Sequence, residues 1–259
     1  MGLPQMNTSQ HEFVAEQYAP RAWDYVASAV HSTGADLDEV EAMVTGLAHA
    51  RVLDLGCGGG HVSYRAAPHV AEVVACDVTP DMLAAVAETA ARRRLANIRV
   101  EQAAAEQLPF AEASFDVVLC RFTVHHWPNM EAGLREARRV LKPASPALFI
   151  DAIASADPAL DTHLQAVELL RDASHVRDYS VAEWAAALGR AGFALAGMTR
   201  RRLRMQFPVW IARTQTSPAH AAAIRSLQSA APAIVHGHFA IGADGSFDLE
   251  TASFFVRAG

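Results

Sequence analysis

Residues 52–60 read Val-Leu-Asp-Leu-Gly-Cys-Gly-Gly-Gly. The apolar start, Arg51–Leu55, predicts a short buried strand. Four of the five residues from Gly56 to Gly60 are glycine. Such a turn permits positive φ and leaves no Cβ between the backbone and a ligand. The helical pattern of residues 61–70 follows at once, so the stretch is a strand, a tight turn and a helix.

Working outward, the same alternation continues. Val73–Asp77 is a second strand. Thr79-Pro80 opens a helix, with Thr suited to the N-cap and Pro to the first helical position. Ile98–Gln102 and Phe115–Cys120 are further strands, then come a helix over Met130–Leu141 and a strand over Ala147–Ile153. Near-continuous apolar strands separated by helices imply a parallel sheet covered on both faces. Later segments predict helices over Leu160–Leu170, Val181–Ala191 and Ala219–Ser229, with strands over Ala194–Met205 and Ala252–Val256. Before the first strand, residues 1–46 carry apolar positions at helical spacing, broken near Thr33-Gly34. The expected organisation is a helical lid over 1–46 and a main domain over 47–259. Within the latter, 47–153 forms the cofactor half and 154–259 the substrate side.

In an open parallel sheet, ligands bind at the carboxyl ends of the strands, near the point where strand order reverses. The glycine turn lies there. A dinucleotide loop would need glycine where His61 stands, and a P-loop would need Gly-Lys-Ser/Thr, which does not follow. The pattern DxGxGxG is complete in Asp54, Gly56, Gly58 and Gly60. Asp77 ends strand two, where a carboxylate can hold ribose hydroxyls. Asp54 and Asp77 together make an acidic mouth suited to a cationic nucleoside.

These features, with Ala105–Phe110 (AEQLPF), His126-Trp127-Pro128-Asn129 and Leu141-Lys142-Pro143, resemble class I S-adenosylmethionine-dependent methyltransferases of the ubiquinone/menaquinone-biosynthesis type. Further stretches, His31–Leu37, His125–Trp127 and Arg171–Trp184, are similar to those of a bacterial group of uncharacterised methyltransferase-like proteins. The resemblance implies a three-layer α/β Rossmann-like fold. It has a mostly parallel seven-stranded sheet, an N-terminal helical lid and a helical insertion before the last strand. It also implies S-adenosyl-L-methionine as cofactor. Gly56, Cys57 and Gly58 would pass under its methionine part and Asp77 would hold the ribose. Val78, Met82, Ala105 and Glu106 would lie near adenine, and Arg121 near the methionine carboxylate or sulfonium. Tyr18 would close from the lid. Ala104 departs from the family, which has Asp there; its adenine contact would be lost or moved to Glu106.

Methyl transfer needs alignment and exclusion of water, and a base only when the acceptor loses a proton. Candidates follow strand four, where His125 or His126 would act as base. The stretch Arg171–Tyr179 would line an acceptor pocket through His175, Arg177 and Tyr179, or else form a solvated loop. His31 is a weaker candidate. A binding protein without catalysis is the alternative, and an NAD(P) oxidoreductase is disfavoured by the missing glycine.

Composition sets outer bounds. The chain has 259 residues and a formal net charge of −6, which argues against nucleic acid as partner. The basic clusters Arg92–Arg94 and Arg200–Arg202 with Arg204 are expected on solvated faces. Three cysteines, Cys57, Cys76 and Cys120, give neither a disulfide framework nor a zinc site, and histidine spacing suggests no metal. No apolar run approaches the ~18 residues of a membrane helix, and no secretory signal is visible. A cytoplasmic monomer or homodimer acting on a small-molecule methyl acceptor is expected.

Overall fold

A computed structural model describes residues 9–27 and 34–259. His31 and Thr33 lie outside the described residues. The helices are α1 (Gln10–Tyr18), α2 (Ala22–Ala27), α3 (Ala35–Val44), α4 (His61–Ala66), α5 (Pro80–Arg92), α6 (Met130–Val140), α7 (Pro158–Arg171), α8 (Val181–Arg190), α9 (Phe207–Arg213), α10 (Pro218–Ala230) and α11 (Ala233–Phe239). The strands are β1 (Arg51–Leu55), β2 (Glu72–Asp77), β3 (Ile98–Gln102), β4 (Val117–Arg121), β5 (Pro146–Ala154), β6 (Tyr179–Ser180), β7 (Phe193–Met205) and β8 (Phe247–Ala258).

Alternation along each strand explains why the sheet needs helices on both faces. Leu53, Val74, Val118, Cys120 and Phe149 point into one cluster, with Leu134 and Val140 of α6 and Trp184 of α8. Their neighbours Val52, Val73, Val117, Leu119 and Leu148 point into the other, with Leu37 and Val40 of α3 and Val62 of α4. Successive side chains of a strand face opposite sides, so an uninterrupted apolar run fills both.

The strand order is β3-β2-β1-β4-β5-β8-β7. The first five strands are parallel, and β8 runs antiparallel between β5 and β7. The chain reverses direction across the sheet between β1 and β4, and the glycine turn sits at that switch. The expected seven-stranded sheet is the main path. A two-residue eighth strand, β6, lies off it and pairs with Ile153 and Ala154 of β5. It leads directly into α8, whose start is closed by a reciprocal Ser180–Glu183 capping box.

Two short helices of the insertion between β7 and β8 escape the periodicity reading. α9 and α11 have seven residues each, too few turns to establish a period. Tertiary packing selects them. Phe207, Trp210, Val235 and Phe239 join Leu160, Leu164 and Leu249 in a third cluster. The last strand is also longer than Ala252–Val256, because β7 pairs with it from Phe247 to Ala258.

At the N-terminus, α1 has no buried residue. It is held across the carboxyl ends of the strands by polar contacts. Gln10 donates to the Ser174 carbonyl (2.8 Å), and His11 Nε2 meets Glu106 (2.9 Å). No helix is long and apolar enough to cross a membrane among the described residues.

Candidate active site

A cavity of about 670 Å³ opens over the carboxyl ends of β1, β2, β4 and β5. Its floor at one end is the glycine turn. Gly56 takes φ +71° and leaves room for Thr123: an added Cβ would lie 2.3 Å from Thr123 Oγ1. Gly60 takes φ +79° as the N-cap of α4, where a Cβ would meet Tyr64 and Val86. Gly60 therefore turns the chain and does not face the cavity; Gly59 faces it instead. Gly58, at φ +47°, has nothing within 4 Å of its Cβ position. Its open side belongs to the cavity.

The two acids of the turn are organised by backbone donors. Asp54 Oδ2 accepts from Ser63 N (2.9 Å) and Ser63 Oγ (2.6 Å), tying β1 to α4. Asp77 Oδ2 accepts from Gly58 N and Oδ1 from Thr79 N, both at 2.9 Å. Thr79 thus caps α5 through its backbone position, without the expected side-chain bond. Burial raises both carboxyls, Asp54 to about 7 against its Ser63 hydrogen bonds. A cationic ligand beside them would favour their ionised forms.

Val78, Met82, Ala105 and Glu106 also line the cavity, whereas Ala104 does not and its neighbours Ala103 and Ala105 do. Glu106 is engaged by His11 and by Asn129 N (3.2 Å). Arg121 ends β4 and pairs with Asp36 of α3, Nε to Oδ2 at 2.5 Å. After it Phe122 adopts φ +53°, a strained conformation for a bulky residue that costs about 1–3 kcal/mol. Its amide is held by the Ile150 carbonyl (2.8 Å). This kink delivers Thr123 to Gly56 and the two histidines to the cavity.

His125 and His126 both line the cavity, with ring centroids 4.3 Å apart, but their surroundings are opposite. His125 Nδ1 lies 2.6 Å from Asp151 Oδ1. Burial works to lower this imidazole, but Asp151, with help from Asp178 and Glu168, outweighs it and raises it to about 9. His126 Nδ1 faces the Ser174 carbonyl (3.1 Å), which can only accept, so the neutral ring carries its hydrogen there. Its Nε2 faces Tyr18 Oη at 3.2 Å. Burial and then the charge of His125 lower His126 to about 4. The single hydroxyl hydrogen of Tyr18 goes to Asp172, which accepts from Ser174 Oγ as well (2.7 Å). Burial opposes ionisation of Asp172, yet His126 and these hydrogen bonds carry it well below the usual carboxylate range.

Of the stretch Arg171–Tyr179, the structure brings Arg171, His175 and Asp178 to the cavity. His175 is buried, with Nε2 at 2.9 Å from Gln165 Oε1, and burial followed by the charge of His125 lowers it to about 3. Two expectations are corrected. Tyr179 lines a separate outer pocket against Ala182 and Ala186. Arg177 pairs with Asp161 and Glu183 (3.1 Å each). The segment is not a solvated loop either, since Asp172, Ser174 and Asp178 are buried. The basic run of β7 is also only partly solvated. Strand alternation leaves Arg200 half exposed and turns Arg201 inward to Glu39 and Ser253 Oγ.

Asp36, Thr123, Asp151, Glu168 and Asp178 are the cavity or supporting residues that residue patterns missed. One signal was available: Asp151 is a lone charge inside a buried apolar strand, which requires partners. Those partners are the His125 ring and the amides of Val124 (2.9 Å), His125 (3.3 Å) and Ala152 (2.8 Å). Trp127 closes this segment against Gly133 of α6, where an added Cβ would lie 2.5 Å from the indole ring. Gly133→Ala is expected to destabilise the protein by about 1–3 kcal/mol through this overpacking. Urea melts would register it, and an unchanged midpoint would show that Trp127 yields freely.

A domain model described as a methyltransferase domain matches residues 53–149. The uncharacterized protein YafE of Escherichia coli K12 is 40% identical over 74% of this chain and 93% of its own length. The uncharacterized methyltransferase YcgJ of Bacillus subtilis is 34% identical over 77% of this chain and 79% of its own. The crystal structure of YcgJ superposes with a TM-score of 0.83, covering 86% of this chain and 98% of that one at 30% identity. The ubiquinone/menaquinone biosynthesis C-methyltransferase UbiE of Bradyrhizobium diazoefficiens is 37% identical over 42% of this chain and 45% of its length. The chain belongs to the class I S-adenosylmethionine-dependent methyltransferases, in the family that includes YcgJ and YafE. The cavity fits that cofactor: Gly58 leaves open space, and the Asp54 and Asp77 carboxyls at its floor favour a cationic ligand.

Proposed function

We propose that the protein transfers a methyl group by in-line displacement to a small-molecule acceptor that gives up a proton to His125. The observation that carries this reading is the His125–Asp151 pair, placed in the same cavity as the glycine turn. Bound S-adenosylmethionine supplies an activated methyl group on a sulfonium. Gly56, Cys57 and Gly58 lie beneath its methionine part, and Asp54 contributes negative charge there. Asp77 holds the ribose hydroxyls. Val78, Met82, Ala105 and Glu106 surround adenine, and Arg121, fixed by Asp36, faces the methionine carboxylate. In its neutral form, which a value of about 9 places at alkaline pH, His125 is oriented by Asp151 through Nδ1 and leaves Nε2 as the proton acceptor. Tyr18 latches α1 over the cavity through Asp172 and His126, which keeps water out during transfer. A volume of about 670 Å³ lies within the ~300–1,000 Å³ of small-molecule sites.

Kinetics of His125→Asn test the base. S-adenosylhomocysteine (SAH) should bind the variant as it binds the parent protein, while turnover falls on the order of 100- to 10,000-fold. Undiminished turnover would exclude His125 as the base. A matched loss of SAH affinity would make it a binding residue instead.

A further inference from the structure

Asp178 stands out in this cavity. Its backbone is fully occupied, N–H to Gln165 Oε1 (3.1 Å) and carbonyl to Gln165 Nε2 (2.8 Å). Its carboxyl is not. The residue is 2% exposed, and Oδ2 has no hydrogen-bond partner among the described residues. Burial, then the charge of Glu168, raises it to about 8. Leaving a buried carboxyl oxygen unsatisfied lowers stability, and within the fold this carboxyl serves only as a negative charge near His125, without a hydrogen bond. The chemistry beside it gives a further reason for an acid. One Asp178 oxygen, one Asp151 oxygen and a His125 ring nitrogen lie within 4.8 Å of one another, yet Asp178 bonds to neither neighbour.

We propose that Asp178 recognises the methyl acceptor, and that this acceptor carries hydroxyls on two adjacent carbons. One hydroxyl gives its proton to His125, and the other donates to the Asp178 carboxylate. The inference rests on the reading of His125 as the base. Its physical ground is a count of hydrogens. With His125 neutral and Asp178 ionised, the forms favoured at alkaline pH, the imidazole nitrogen and the carboxylate both accept, and a single hydroxyl has one hydrogen to give. Hydroxyls on adjacent carbons sit about a hydrogen-bond length apart and supply one hydrogen to each. The reacting oxygen loses its proton to His125 as its bond to the methyl carbon forms and the carbon–sulfur bond breaks, leaving a neutral thioether. The second hydroxyl keeps its proton and only positions the ring.

The test is calorimetric titration of the SAH-loaded protein with catechol, phenol, resorcinol and aniline. Catechol should bind about tenfold tighter than phenol or resorcinol, because a site built for a hydroxyl penalises its absence. Asp178→Val should reduce catechol to the affinity of phenol and should melt no lower than the parent, since no hydrogen bond within the fold is lost. Asp178→Asn retains an acceptor oxygen and should retain the preference. Should the valine variant fail to fold, the parent's ranking and the asparagine variant still decide. Four results would overturn the proposal: catechol binding no better than phenol, aniline matching catechol, a preference surviving in Asp178→Val, or a stoichiometric divalent metal retained by the purified protein. Failure of SAH itself to bind would instead strike the underlying reading, and it is seen before any phenol is added.

Discussion

Replacing Gly58 with valine is expected to leave the protein folded and to weaken SAH binding by about 100-fold or more, roughly 2.7 kcal/mol. Gly58 lines the cavity, and its missing Cβ has nothing within 4 Å. A branched side chain there occupies space under the proposed methionine moiety. The positive φ of +47° adds strain of about 1–3 kcal/mol, which a domain of ordinary stability survives. Gly56→Ala provides the contrast. Its Cβ would sit 2.3 Å from Thr123 Oγ1 and 2.5 Å from Cγ2, so the damage falls on the fold and on the delivery of the histidines. Calorimetry with SAH beside thermal melts separates the two. Normal SAH affinity in Gly58→Val would place the cofactor elsewhere in the cavity.

Asp151→Asn should act through His125. Loss of the anion is expected to drop the imidazole from about 9 by about 1–3 units. Turnover should fall on the order of 100- to 10,000-fold, because the oriented tautomer is lost as well as the charge. Nitrogen NMR of the imidazoles would follow the titration, and SAH formation would follow the rate. The same pair also makes stability depend on pH. The folded value for His125 lies above its unfolded value of about 6.5. The stabilisation is therefore fully present below pH ~6.5 and is lost as pH rises through about 9. Asp151→Asn should flatten that decline in urea melts taken across this range. An unchanged His125 titration would show that Asp151 does not set it.

The path from β1 to β5 was legible in the residues because each element carries its own local rule. Apolar runs such as Ala147–Ile153 can only be strands covered on both faces. Glycine at 56, 58 and 60 answers to positive φ at each position, and the Thr79-Pro80 pair opens α5 where expected. The glycine turn and Asp77 follow from spacing, whereas Val78, Met82, Ala105, Glu106 and Arg121 follow from the family resemblance; all of them line one cavity. The insertion was less legible. α9 and α11 owe their existence to the cluster around Trp210 and Phe239, and no seven-residue window contains the partners that bury them.

The grouping around His125 is set by tertiary structure. His125, Asp151 and Asp178 come from the turn after β4, the body of β5 and the segment before β6. Nothing local links them, and Tyr179, one residue from Asp178, faces a different pocket. Which of two adjacent histidines holds a proton is likewise decided by what stands opposite each ring, a carboxylate for His125 and a carbonyl for His126. A glycine turn is chemistry of the backbone and travels with its sequence. Charge placement across a cavity is a matter of distance between remote segments, and only the folded chain sets that distance.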